Sequence, residues 1–166
     1  MENIIKEKLI PVVELADKVY KLKELGKIVV FTNGCFDIIH TGHTRYLRQA
    51  REAGDLLIVA VNSDQSVRQI KGNQRPIVPL EERMEILAGF YFIDYVVSFN
   101  ELDPYEIIKQ IRPNRLIKGG DWPLDKIIGR DIVESDGGTV FTIPQIPGRS
   151  TSSIVEKIKG LNKDKG

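Results

Sequence analysis

The sequence predicts an α/β fold, a doubly wound, mostly parallel sheet of five strands with helices on both faces. Three observations predict it. Short apolar runs alternate with segments of helical spacing through nearly the whole chain. The run 56–61 is continuously apolar, as expected where helices cover both faces of a parallel sheet. The glycine-, serine- and histidine-bearing motifs all fall at the carboxyl ends of predicted strands, where ligands of such sheets gather.

Each element has its own signal. Val12, Val13, Leu15, Ala16, Val19, Tyr20, Leu22 and Leu25 recur at helical spacing, so residues 1–26 carry a leading helix stopped by Gly26. A strand over 27–32 follows, then a helix over 42–53 that ends at Gly54, and the strand 56–61. Helix 63–70 leads into a loop, 71–76, broken by Gly72 and Pro76. Pro79 opens the next helix near its first turn. Residues 95–99 read as a strand, 104–111 as a helix, and 116–118 as a short strand ending in Gly119-Gly120. A small helix over 130–135, a strand over 139–143 and a helix over 150–159 complete this Rossmann-like order.

A length of 166 residues fits one domain, 1–166, with a solvated tail at 161–166. No internal repeat or low-complexity block interrupts it. Lys and Arg number 24 against 23 Asp and Glu, which gives no support for a nucleic-acid coat. No apolar stretch approaches the roughly 20 residues that cross a bilayer, and the first residues lack a signal-peptide layout. The single cysteine excludes an intrachain disulfide framework and fits a reducing cytoplasm.

The most informative stretch is 33–43, Asn-Gly-Cys-Phe-Asp-Ile-Ile-His-Thr-Gly-His, which holds both histidines of the chain. A strand runs into a helix here, and a helix N-terminus offers unpaired N–H groups and partial positive charge to a phosphate. His40 and His43, three residues apart at the first turn, can point into that seat. Cys35, Asp37, His40 and His43 are also possible zinc ligands, although a structural zinc site usually shows paired cysteines. A second hydroxyl-rich helix start, Arg149-Ser150-Thr151-Ser152-Ser153, lies at the far end of the chain. Capping explains one hydroxyl; four after an arginine suggest a second anion seat. Lys71, Arg75, Arg83 and Lys118 add positive charge, Lys118 next to two glycines that let a ligand approach the backbone. Neither a Walker A sequence nor a Gly-x-Gly-x-x-Gly fingerprint is present.

Gly34-Cys35-Phe36-Asp37 with His40-Thr41-Gly42-His43, followed by Arg149 to Ser153, resembles the cytidylyltransferase-like nucleotidyltransferase superfamily. Within it the chain is similar to the heptose 1-phosphate adenylyltransferase family. That likeness lies in residues 30–37, 59–64, Lys71-Gly72 with Arg75-Pro76, and Lys118-Gly119-Gly120-Asp121. The resemblance covers about residues 9–159. It implies a stand-alone form of an activity fused in many bacteria to a sugar kinase, used for lipopolysaccharide cores and related glycans.

The implied reaction is attack by a sugar phosphate on the α-phosphorus of ATP, with release of pyrophosphate. That phosphate has a second pKa of about 6, so it arrives ionised and needs no general base. By resemblance, His40, His43 and Lys118 serve the transferring phosphates. Asn33, Gly34, Cys35, Phe36, Gly42, Gly119, Gly120 and Asp121 bind the nucleotide, with Arg149, Ser150, Thr151 and Ser152 at its β- and γ-phosphates. Asp37, Asn62, Asp64, Lys71, Arg75 and Arg83 are substrate-side candidates, Arg75 and Arg83 either for phosphate or for loop anchoring. Relatives use Mg²⁺, for which Asp37 is the nearest candidate ligand, the alternative being that it orders the turn. They also pair as homodimers; Phe90, Tyr91 and Phe92 belong either to such an interface or to the core. Relatives often place Ile, Tyr or Cys before the Ser-Thr pair, where this chain has Arg149. Cytidylyl transfer to glycerol 3-phosphate and a non-catalytic nucleotide-binding module are the alternatives. The Lys118–Asp121 stretch and the leading helix favour adenylyl transfer.

Overall fold

The computed structural model describes residues 2–120, 122–144, 148 and 150–161. Five strands, β1 (Val29–Gly34), β2 (Leu56–Asn62), β3 (Tyr95–Phe99), β4 (Arg115–Gly119) and β5 (Thr139–Ile143), form a sheet of order β3-β2-β1-β4-β5. Each pairing in it is parallel, so the sheet goes further than the mostly parallel one expected. Its helices are α1 (Glu2–Lys8), α2 (Val12–Glu24), α3 (Thr41–Glu52), α4 (Asp64–Lys71), α5 (Leu80–Ala88), α6 (Tyr105–Ile111), α7 (Arg130–Ser135) and α8 (Thr151–Leu161).

The leading helix is a correction: it is two helices. Pro11 stands in an extended conformation as the N-cap of α2, because it lacks an N–H and disfavours helix in the residue before it. Between the two helices, Leu9 bridges Val96 and the Ile10 amide donates to the Val96 carbonyl at 3.3 Å. That short segment covers the outer edge of β3, which would otherwise offer unpaired backbone groups. A 3-10 turn at Leu124–Lys126 adds to the elements expected from the sequence. Residue 161 of the expected tail closes α8, and 162–166 lie outside the described residues.

Alternation along each strand sends successive side chains to opposite faces. Val29, Phe31, Ile58, Ala60 and Leu116 join Leu15 and Val19 of α2, Ile107, Ile108 and Ile111 of α6, and Val133 of α7 in one core. Val30, Leu57, Val59, Val61 and Ile117 join Leu47 and Ala50 of α3 and Leu87 and Ala88 of α5 in the other. Two cores on one sheet explain why β2 is apolar from Leu56 to Val61. Phe90 and Phe92 are half-buried against the second core, whereas Tyr91 is 85% exposed.

The two ends of the sheet are built differently. At the amino end, Asp55 accepts from the Ile28 amide, Asp94 from Leu57 and Asn114 from Val29, so each side chain staples a strand entry to its neighbour. At the carboxyl end the chain reverses direction across the sheet between β1 and β4. Their ladder pairs Val30 with Arg115 and Phe31 with Leu116, and two side chains tie the strands beyond it. Tyr46 of α3 donates its phenol proton to the Ile117 carbonyl at 3.0 Å and accepts from Thr32. Lys118 reaches from β4 to the Asn33 side chain on β1 at 2.9 Å. This reversal is where ligands of open α/β sheets bind.

Candidate active site

β1 leaves the sheet through Gly34, and a Cβ there would lie 3.1 Å from the Phe36 ring. The missing side chain lets that ring fold back over the strand end into the core, with Phe36 itself at φ 47°. A bulky residue in the left-handed region costs on the order of 1–3 kcal/mol and clusters at functional sites. Here it sets the ring edge-on to His43, centroids 5.4 Å apart.

His40 is the N-cap of α3, its carbonyl accepting from the His43 and Thr44 amides. The first amides of the helix, at Thr41 and Gly42, have no carbonyl within it to pair with. The two imidazoles stack at 3.9 Å, with 22° between their planes. Burial, then the neighbouring His40, lowers the His43 pKa to about 4, with the Ile38 backbone acting the other way. His43 is therefore a neutral imidazole at pH 7, with an N–H to donate rather than a proton to exchange.

Asp37 is buried and its carboxylate is committed. One oxygen accepts from the Ile77 and Val78 amides at 2.7 and 3.0 Å, and the other meets Arg75 Nε at 2.7 Å. It orders the turn and does not fit a Mg²⁺ ligand. Among the described residues no group of three His, Cys, Asp or Glu could hold a metal. Burial outweighs the cations Lys71, Arg83 and Arg75 and raises the Cys35 thiol pKa, so it remains protonated.

Of the two readings of Arg83, substrate phosphate or loop anchoring, the structure supports the anchor and corrects the substrate-side one. Arg83 is wholly buried and donates to the carbonyls of Val78, Cys35 and Asn62 and to the Asp64 carboxylate. Neither Arg83 nor Asp64 reaches the cavity; both anchor its wall. Gly120 also lies off the wall: at φ 109° its amide donates to the Ile143 carbonyl, turning the chain away.

The remaining described candidates come together. A cavity of about 560 Å³ opens over the carboxyl ends of β1 and β4. His40, Gly42, His43, Lys118 and Gly119 line it, as do Asn33 to Asp37 at the end of β1. Asn62, Lys71 and Arg75 flank them on the β2 side, and Ser150, Thr151 and Ser152 close it from α8. Ser150 caps α8 reciprocally with Ser153, and Thr151 donates to the Ile38 carbonyl at 3.3 Å. That last bond brings the second helix start against the histidine turn. Asp121 and Arg149 lie outside the described residues.

Trp122, Lys126, Ile127 and Ile128 also line the cavity and had no sequence signal, since they sit in the irregular segment after β4. Val67, Ile70, Leu102 and Asp103 line the opposite flank. Desolvation lowers the Lys118 pKa to about 8, opposed by Cys35, so the ammonium is charged at pH 7 and neutralises above 8. A charged Lys118 is the form that binds anion. Accordingly kcat/KM for the nucleotide is expected to fall as pH rises through about 8, since that ratio reports the free enzyme. Lys118→Arg, whose guanidinium stays charged, should remove the fall; an unchanged alkaline limb in that variant would assign it to another group.

Stacked imidazoles, a half-buried ammonium and two helix N-termini around one cavity are the donor set of a nucleotidyltransferase. Residues 31–157 match the family model described as Cytidylyltransferase-like, and the chain belongs to that family. Over 136 residues it is 53% identical to the bifunctional protein HldE of Geobacter sulfurreducens, covering 82% of this chain and 28% of that protein. With the HldE of Pseudomonas entomophila it shares 50% over 134 residues, 81% of this chain and 28% of that one. The chain thus spans less than a third of the length of these relatives. A crystal structure of the lipopolysaccharide core biosynthesis protein from Thermoplasma volcanium superposes with a TM-score of 0.59 at 26% identity, covering 73% of this chain and 98% of that one. Pantoate-beta-alanine ligase from Francisella tularensis shares the fold, with a TM-score of 0.58 at 16% identity over 87% of this chain and 68% of its own.

Proposed function

We propose that the chain transfers AMP from ATP to D-glycero-D-manno-heptose 1-phosphate, giving ADP-heptose and pyrophosphate. The observation that carries the transfer is the stacked His40–His43 pair at the start of α3, facing the same cavity as Lys118 and the start of α8. Similarity to the bifunctional HldE proteins and to a lipopolysaccharide core biosynthesis protein supports the acceptor.

The acceptor phosphate oxygen forms the new bond to the α-phosphorus as the bond to the β-phosphate oxygen breaks. The leaving pyrophosphate takes the electron pair. Negative charge grows on the bridging and non-bridging oxygens. His40 and His43 donate to them, the α3 amides and Lys118 add fixed positive potential, and Ser150 to Ser152 hold the β- and γ-phosphates. Donors already in place for the developing charge lower the barrier without a proton transfer. Lys71 and Arg75 receive the acceptor phosphate on the β2 side. Mg²⁺ belongs to this reading as an ion carried in on triphosphate oxygens and water.

The test is pyrophosphate release with four mixtures, ATP or CTP with heptose 1-phosphate or glycerol 3-phosphate. Turnover is expected with ATP and the heptose phosphate alone; CTP with glycerol 3-phosphate as the best pair would replace the reading. A cytoplasmic homodimer completes it, with exposed Tyr91 at the subunit contact, and light scattering reads the mass directly. Among the described residues no helix is long and apolar enough to cross a membrane.

A further inference from the structure

The two flanks of the cavity differ in chemistry. Beyond β2 and β3 the wall carries Asn62, Lys71, Arg75 and Asp103 among its apolar residues, groups that suit hydroxyls and a phosphate. Beyond β4 it carries Gly119, Trp122, Ile127 and Ile128, with Lys126 the one charged group among them. Trp122 is the single tryptophan of the chain and is 55% exposed. The other aromatic carbocycles on the wall are held elsewhere: Phe36 is packed into the core and the Tyr46 phenol ties β1 to β4. A lone exposed apolar side chain on a convex surface means little, but on a concave wall with convergent polar groups it points to a ligand face.

A nucleotide with its phosphates between the histidines, Lys118 and α8 has to send its base to one flank and leave the other to the acceptor. A purine is flat and apolar on its faces, whereas a sugar phosphate is covered in hydrogen-bonding groups. We propose that Trp122 stacks on the nucleobase and sets the affinity for the nucleoside half of ATP. This rests on the nucleotidyl-transfer reading of the same cavity. It adds a contact that neither histidine turn nor α8 supplies, since both act on phosphates. Base–aromatic stacking tolerates any base, so Trp122 supplies affinity and leaves the choice of base to polar contacts.

Because the indole is unique, its emission reports the contact. ATP is expected to quench it, whereas inorganic tripolyphosphate, which fills the phosphate seats without a base, leaves it nearly unchanged. Trp122→Ala should weaken ATP binding in calorimetry by about tenfold, a typical loss for one stacked base. Its tripolyphosphate affinity and its KM for the sugar phosphate should not move, and Trp122→Phe should recover most of the loss. The residue is more than half exposed, so the alanine variant should melt with the wild type. An unchanged ATP affinity, an equal loss of ATP and tripolyphosphate, or a rise confined to the acceptor KM would each overturn the assignment. The binding arms need no turnover. Quenching by ATP with no sugar phosphate converted would remove the proposed acceptor and leave the base contact in place.

Discussion

His43→Ala is expected to lower kcat on the order of hundreds-fold, the usual cost of losing one donor to developing charge. The KM for ATP should change much less, because the ground-state triphosphate keeps Lys118 and α8. His43→Asn, which retains an N–H of similar reach, should recover part of kcat. A general base would behave differently: asparagine could not replace it, and the acid limb of the kcat profile would vanish with it. The stability of the protein carries the same group in another form. With the folded pKa at about 4 against 6.5 for the free side chain, the unfolded chain takes up a proton first as pH falls. The contribution of His43 is therefore full above 6.5 and is lost progressively from there to about 4. His43→Asn should flatten that part of the curve of Tm against pH. An alanine variant with full kcat would sink the donor role.

What was legible in the sequence followed local pattern. The strands at 95–99 and 139–143 and the helix at 130–135 agree with the structure to the residue, since a run of apolar or helical spacing is contained in the segment itself. The leading helix expected over 1–26 divides at Pro11: the periodic positions that marked it begin at Val12, and the segment before them is fixed by what residues 9 and 10 cover, the edge of β3. The histidine turn and the hydroxyl-rich start of α8 were visible as separate strand-to-helix junctions. Their meeting through Thr151 and the Ile38 carbonyl depends on a contact between residues far apart in the chain. Trp122 and Ile127 had no signal at all, because an irregular segment has no period from which a wall could be read. Asp37 could be read as metal ligand or turn anchor, and the amides of Ile77 and Val78 decide for the anchor.

Arg83 shows the limit most clearly, and removing it should have a large effect on stability. In sequence it is a charged residue on a helix, the kind that almost always faces water. In the fold its guanidinium fork joins the end of β1 at Cys35, the end of β2 at Asn62, the start of α4 at Asp64 and the loop at Val78. Three carbonyls from three segments can be satisfied at once because the fork is planar and rigid, with its donors at fixed angles. Arg83→Met keeps the stem and abandons those acceptors inside the protein. Breaking a buried pair of this kind costs about 3–5 kcal/mol. The lower end applies here, because the Asp64 side chain is 32% exposed and water can screen part of its charge. Arg83→Lys should rescue little, since one ammonium cannot span the four acceptors. Urea denaturation reads the loss directly, and kcat per folded molecule separates anchoring from substrate contact. If Arg83 bound the acceptor phosphate, lysine would preserve the charge and the stability while raising the acceptor KM. Anchoring predicts the opposite pattern, a low unfolding midpoint in both variants, because the wall that carries Cys35 and Asn62 is held from behind.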